Sequence, residues 1–249
     1  MKEGSEREKF SQETREEILK MGEDRALKAK TLDWITHSAK YKYSYHFQWM
    51  GIPIIQFPQD LVALQELIFR IRPQVIVETG VAHGGSVVFY ASMLELLGGD
   101  GFVIGIDREI RPHNRAALEA HPLFRRIRLV EGSSTDVATI REVRKLAGER
   151  QPILVALDSN HTHEHVLAEL GLYSEMVRNG SYLVVFDTIV EDLPADFFPD
   201  RPWGKGNNPK TAVWEFLKKN SRFVIDHEME NKLLMTVSPD GFLHCIRDP

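Results

Sequence analysis

The chain of 249 residues carries a single cysteine, Cys245. A disulfide framework is thereby excluded, which suits a reducing compartment. Cys245 stands in the apolar run Phe242-Leu-His-Cys-Ile246, so it reads as a buried strand thiol rather than a nucleophile. No apolar run approaches the ~20 residues that span a bilayer. The opening stretch Met1–Phe10 is polar and has no apolar centre of the kind a signal peptide needs. A soluble, cytoplasmic protein with no membrane partner is expected. Long basic runs are missing too, and the formal net charge is −5, which argues against nucleic acid as a partner. The clusters Arg125–Arg128 and Arg141–Lys145 read as solvated edges. There is no internal repeat and no low-complexity tract.

What is present is a composition 43% hydrophobic, enough for a packed core. The length suits one α/β domain with an added arm. Residues 1–10 are expected to fray. From Ser11 to about Ser38, Ile18, Leu19, Met21, Leu27 and Leu32 recur near a helical period. This divides the chain into an N-terminal helical arm, 1–40, and a main domain, 41–249. Tyr41–Met50 alternates aromatic and polar residues, as a strand or as a loop lining a pocket. Gly51 and Pro53 break it, and Asp60–Arg70 reads as a helix ending before Pro73.

Strand and helix then alternate. Strand-like runs are Gln74–Glu78, Phe102–Asp107, Ile127–Val130, Ile153–Asp158 and Tyr182–Asp187. Helix-like runs are Gly85–Leu97, Pro112–Ala120, Thr135–Ala147, His163–Val177 and Pro209–Lys219. Late strands are expected at Arg222–Asp226, Lys232–Val237 and Phe242–Ile246, the last two joined as a hairpin by Ser238-Pro-Asp-Gly241. The pattern predicts a Rossmann-like, doubly wound α/β sheet of about seven strands, mostly parallel, with a late antiparallel hairpin.

Ligands of such sheets bind beyond the carboxyl ends of the strands. The first run ends in Val77-Glu-Thr-Gly-Val-Ala-His-Gly-Gly-Ser86. Gly80, Gly84 and Gly85 let a backbone approach a ligand closely. The dinucleotide fingerprint G-x-G-x-x-G is not met, because its second glycine is absent. Glu78 would repel a pyrophosphate but suits an ammonium, which favours S-adenosylmethionine over NAD. His83 and Ser86 join Glu78, Gly80 and Gly84 as candidate cofactor contacts. Asp107 ends the second strand, placed for both ribose hydroxyls or for a helix cap, and Arg108 follows it. Ser133 and Ser134 follow the third strand, facing adenine or capping the next helix.

Asp158 and Asp187 end two later strands. Adjacent parallel strands lie about 5 Å apart, so the two carboxylates can share one site and suit Mg²⁺ or another divalent cation. His161 lies within reach as a general base. Zinc on His161, His163 and His165 is a weaker reading, with His163 and His165 taken as surface residues. Glu191 and Asp192 stand as further ligands or plain loop charge. Asn207 and Asn208 read a polar substrate or cap the helix at Pro209.

The chain resembles the cephalosporin hydroxylase, or rhamnosyl O-methyltransferase-like, family. The segments that carry the likeness are Gly51-Ile-Pro-Ile-Ile-Gln-Phe-Pro-Gln-Asp60, Val77–Ser86, Asp187-Thr-Ile-Val-Glu-Asp192 and Asn231-Lys-Leu-Leu234. The resemblance implies a class I methyltransferase domain using S-adenosyl-L-methionine and a divalent metal. Asp158-Ser-Asn-His161 matches a segment in which Asp binds metal and also serves catalysis, and His is the base. Related sugar O-methyltransferases carry two acids at the next strand end, whereas this chain has Phe186-Asp187. The implied reaction is O-methylation of a sugar or natural-product hydroxyl, in a homo-oligomer. The rivals are a cephalosporin-type hydroxylase, an NAD oxidoreductase and a non-catalytic S-adenosylmethionine-binding partner of another enzyme.

Overall fold

The computed structural model describes residues 5–249. Its strands, in chain order, are β1 (Phe47–Trp49), β2 (Ile52–Ile54), β3 (Val75–Thr79), β4 (Phe102–Asp107), β5 (Ile127–Glu131), β6 (Ile153–Leu157), β7 (Tyr182–Val185), β8 (Phe223–Ile225) and β9 (Phe242–Cys245). Its α-helices are α1 (Glu6–Glu23), α2 (Arg25–Ala39), α3 (Pro58–Ile71), α4 (Gly85–Leu97), α5 (Pro112–Glu119), α6 (Val137–Ala147), α7 (His163–Tyr173), α8 (Pro209–Lys219) and α9 (His227–Leu233). β1 and β2 form a separate antiparallel ribbon. The other seven strands make one sheet in the order β5-β4-β3-β6-β7-β9-β8. The first five are parallel, and β9 runs antiparallel to both β7 and β8. β3, β4 and β5 step one way across the sheet, while β6 and β7 step the other. The order therefore reverses between β3 and β6, where a crevice opens at the strand ends.

Both faces of the sheet are covered, which is why the parallel strands are apolar throughout rather than alternating. Ile76, Leu154 and Val184 pack on one face with Leu64, Leu67, Val88 and Phe89 from α3 and α4. Val75, Val77, Val155 and Val185 pack on the other with Val143, Leu170 and Val213 from α6, α7 and α8. Cys245 is buried, as a strand thiol should be.

Several local expectations change. The helical stretch of 11–38 is two helices, because the Asp24 carboxylate accepts the Leu27 N–H and caps α2. Helix α1 starts early, held by a Ser5–Glu8 capping box. Residues 6–10 are thus helical rather than frayed, and Met1–Gly4 lie outside the described residues. Tyr41–Met50 divides into a 3₁₀ turn at Tyr43–Tyr45 and the short β1. The expected 163–177 helix ends at Tyr173 and passes into a 3₁₀ turn at Ser174–Met176. Lys232–Val237 is not a strand. Lys232 and Leu233 close α9, and the backbone of Val237 is already engaged, its N–H on Asp60 and its carbonyl on the Ile189 N–H. The late antiparallel pair is consequently β8 with β9, and α9 lies between them in the chain.

Candidate active site

The Gly-rich turn follows β3 and is held from below. Asp107, at the end of β4, accepts the Val81 and Ala82 N–H groups on Oδ2 at 3.0 and 3.1 Å, and the Glu109 N–H on Oδ1. It caps no helix; it shapes the turn. Asn114 adds a bond from its side-chain amide to the Ala82 carbonyl. Gly80 has φ +94, and a Cβ there would lie 2.1 Å from the Asp158 carbonyl oxygen. The close approach this glycine permits is therefore to β6's own loop. Helix α4 begins at Gly84 with no side-chain cap, which leaves its first N–H groups for a ligand. Glu78 is buried, and Ser86 Oγ donates to its carboxylate at 2.9 Å. Burial pushes the Glu78 carboxyl up to about 8, Ser86 opposes this, and Asp107 adds to it. His83 is half-buried and Arg108 exposed.

Ser133 bonds Thr135, while Ser134 Oγ lies 3.0 Å from His165 Nε2. Ser134 caps nothing; the residue that begins α6 is Asp136. His165 also meets Ser159 Oγ and stands 3.5 Å from Glu169. Ser159 in turn donates to the fully buried Glu169 at 2.7 Å. His165 is thus part of a polar network linking the β5 and β6 loops, not a surface residue. His163 is likewise occupied, by Thr211 Oγ1 at 2.8 Å and Glu215 at 3.2 Å. A three-histidine zinc site is therefore not formed.

His161 does converge with the two acids. Ligating atoms of Asp158, His161 and Asp187 all lie within 4.8 Å of one another. The register explains this: Leu157 of β6 pairs with Val185 of β7, so the residues just beyond them emerge side by side. Neither carboxylate makes a capping bond: Thr162 precedes α7 and Asn208 precedes α8, while Asp187 stands at the head of the 3₁₀ turn Thr188–Glu191 with no side-chain bond to it. Asp187 adopts the left-handed conformation, φ +55, which non-glycine residues seldom take. His161 Nε2 stands 3.2 Å from Asp187 Oδ2, and the Trp203 ring meets the imidazole edge-on at 4.9 Å. Burial, then the negative charges of Asp187, Glu78, Glu169 and Asp60, hold the Asp158 carboxyl well above the usual carboxylate range. So many acids around one imidazole make a donor set that fits a hard divalent cation.

Other expected groups serve the scaffold. Glu191 accepts from the Gly206 N–H and the Asn208 amide, and Asp192 pairs with Lys210 at 2.7 Å. Asn208 caps α8, and Asn207 Oδ1 accepts the His163 N–H. Gln56 and Asp60 had no assigned role. Gln56 Nε2 donates to Asp158 Oδ2 at 3.4 Å, and Asp60 is fully buried, accepting from Thr236 Oγ1 and the Val237 N–H. The helical period that puts Asp60 on one face with Leu64 and Leu67 is the signal that it points inward. A cavity of about 520 Å³ borders the turn after Asp187, with Leu32, Ile35, Ile189, Asp192 and Trp214 in its wall.

The family profile described as Rhamnosyl O-methyltransferase/CmcI matches residues 41–246. A rhamnosyl O-methyltransferase of Mycobacterium tuberculosis is 32% identical over 198 residues, 78% of this chain and 76% of its own. One from Mycobacterium leprae is 31% identical over the same share of this chain and 81% of its own. Among solved structures, CmcI with Mg and SAM is similar in fold, with a TM-score of 0.58 at 22% identity over 81% of this chain and 77% of that one. Cofactor-bound Rv0187 from MTB gives 0.52 at 16% identity, over 86% and 90%. The chain belongs to the rhamnosyl O-methyltransferase/CmcI family.

Proposed function

We propose that this chain transfers the methyl group of S-adenosylmethionine to a hydroxyl of a sugar or natural-product scaffold. In this reading Asp158 and Asp187 hold a divalent cation and His161 is the general base. The observation that carries it is the meeting of Asp158, His161 and Asp187 within 4.8 Å at the ends of two adjacent strands. The bound cation would supply polarisation of the acceptor hydroxyl and favour its deprotonation. His161 takes the proton, which then rests against the Asp187 carboxylate at 3.2 Å. Trp203 covers one side of the imidazole and limits water there. The Gly-rich turn presents the methyl donor, Glu78 meets its ammonium, and Ser133 and Ser134 lie toward its adenine. Much of the acceleration comes from fixing the two reactants relative to each other. Residues 41–249 form the catalytic domain, and α1 and α2 make an appended arm.

The test is transfer of isotope-labelled methyl from S-adenosylmethionine to a rhamnoside by metal-stripped protein. Activity should vanish after chelation and return with Mg²⁺. His161→Gln should lower kcat by about 10²–10⁴-fold while leaving S-adenosylhomocysteine affinity nearly unchanged. Turnover that survives thorough chelation would sink the metal reading, and a fully active His161→Gln would remove the base.

A further inference from the structure

Gln56 is 4% exposed, yet its side-chain oxygen Oε1 has no hydrogen-bond partner among the described residues. Leaving such an atom buried and unpaired is costly, and an apolar side chain of similar volume would avoid that cost. The other end of the same amide is placed beside Asp158, with Nε2 3.4 Å from its Oδ2. The root of the side chain is fixed. Ile54 of β2 and Phe57 at the start of α3 are both buried, so residue 56 is held between two anchored neighbours.

The remaining acids near this point have partners. Ser86 donates to Glu78, Ser159 to Glu169, and Thr236 and Val237 to Asp60. Asp192 is paired with Lys210, and Glu191 accepts from Asn208 and Gly206. Glu169 keeps one oxygen, Oε2, without a partner, as Gln56 does with Oε1, but of these two side chains Gln56 is the one that bonds Asp158. An amide carbonyl is a hard, neutral oxygen ligand of the kind Mg²⁺, Mn²⁺ and Ca²⁺ accept. A half-turn about the last side-chain bond exchanges oxygen and nitrogen with little change in shape. The NH₂ end suits a bare carboxylate, and the carbonyl end suits a cation held by that carboxylate.

We infer that Gln56 supplies a side-chain carbonyl ligand to the divalent cation held by Asp158 and Asp187. The inference rests on the reading that those two carboxylates bind a cation. It assigns to the segment before α3 a direct part in the metal site, beside two ligands that come from the sheet.

The experiment is titration of metal-stripped, full-length protein with Mn²⁺, free Mn²⁺ being counted by electron paramagnetic resonance. Wild type is compared with Gln56→Leu, Gln56→Glu and Gln59→Leu. Gln59 also has an unpaired side-chain oxygen but no bond to Asp158, and serves as the control. Thermal melting and S-adenosylhomocysteine affinity report whether each variant is folded. Gln56→Leu should weaken Mn²⁺ binding about tenfold or more. Gln56→Glu should match or exceed wild type, because it replaces a carbonyl with a carboxylate. Gln59→Leu should leave Mn²⁺ affinity unchanged. Were Gln56 only a donor to Asp158, the new carboxylate would repel its neighbour, so weaker binding in Gln56→Glu overturns the inference. Wild-type affinity in a folded Gln56→Leu overturns it as well. If Gln56→Leu does not fold, the Gln56→Glu result decides alone. Wild-type protein that binds no Mn²⁺ overturns the metal reading itself, a result distinct from the other two.

Discussion

Gly80 and Asp158 are in backbone contact, so close that a methyl group on Gly80 would stand 2.1 Å from the Asp158 carbonyl oxygen. The Gly-rich turn and the loop that carries Asp158 are thereby pressed together across the β3–β6 step, where Asp158 N–H also donates to the Thr79 carbonyl at 2.9 Å. Gly80→Ala should displace both loops, adding a clash to the strain of φ +94. A loss of about 2 kcal/mol or more in unfolding free energy is expected, with S-adenosylhomocysteine and Mn²⁺ affinities falling together. Denaturant melts and calorimetry check this, and unaltered metal affinity would show that the loops move independently.

Asp107 holds the backbone of the Gly-rich turn. Its carboxylate accepts three backbone N–H groups, two of them from the Gly-rich turn. Hydrogen bonds to a charged group contribute about 1.5–3 kcal/mol each, so Asp107→Ala should lower Tm by several degrees besides weakening S-adenosylhomocysteine binding about tenfold or more. Asp107→Asn, which keeps one acceptor oxygen, should fall between. An unchanged Tm with lost binding would assign the carboxylate to the ligand alone.

Glu78 predicts a proton count. Burial raises its carboxyl to about 8, so at pH 7 it is largely protonated. A ligand ammonium brought beside it favours the ionised form. Binding of S-adenosylhomocysteine at pH 7 should release a proton fraction approaching one, measured as the dependence of calorimetric heat on buffer ionisation enthalpy. Glu78→Gln should abolish the release. Buffer-independent heats in wild type would place the ammonium elsewhere.

Asp60 predicts a pH-dependent stability. Burial raises its carboxyl to about 7, against the pull of Thr236 and Val237. The folded value lies above the unfolded one, so this group's contribution is whole below about pH 4 and is lost as pH rises through 7. Asp60→Asn removes the titration. Its unfolding free energy relative to wild type should therefore improve by on the order of 4 kcal/mol between about pH 4 and pH 8. Urea melts at the two pH values check this, and a constant difference would rule it out.

The parallel strands β3 to β7 were legible because each is an aliphatic run that ends in or beside glycine, serine or an acid; strand adjacency put Asp158 with Asp187, and His161 followed from its place three residues past Asp158. Asn208 at the head of α8 was legible for a local reason, a capping side chain just before Pro209. The Lys232–Val237 run misleads because its apolar residues suit a strand while Asp60, 177 residues away, takes the Val237 N–H. The burial of Glu169 and the partial burial of His165 were hidden for the same reason: a helix at i and i+4 looks exposed until the β5 loop meets it through Ser134. Gln56 lay within the family-like segment, but only the fold brings it to Asp158.

The segment from Leu193 to Gly206 hangs between two fixed posts. Asp192 is tied to Lys210, and Glu191 holds Gly206 and Asn208. Between the posts Leu193, Phe197 and Phe198 pack with Leu32, Ile35 and Tyr43, and with Phe57, Ile189 and Val237, and the chain reaches His161 through Trp203. Nothing in that span carries a strand of the sheet or a group of the acid pair. It is therefore a replaceable cassette: transplanting the corresponding span from a relative, with the posts retained, should change which hydroxyl compound is accepted without asking the sheet to refold.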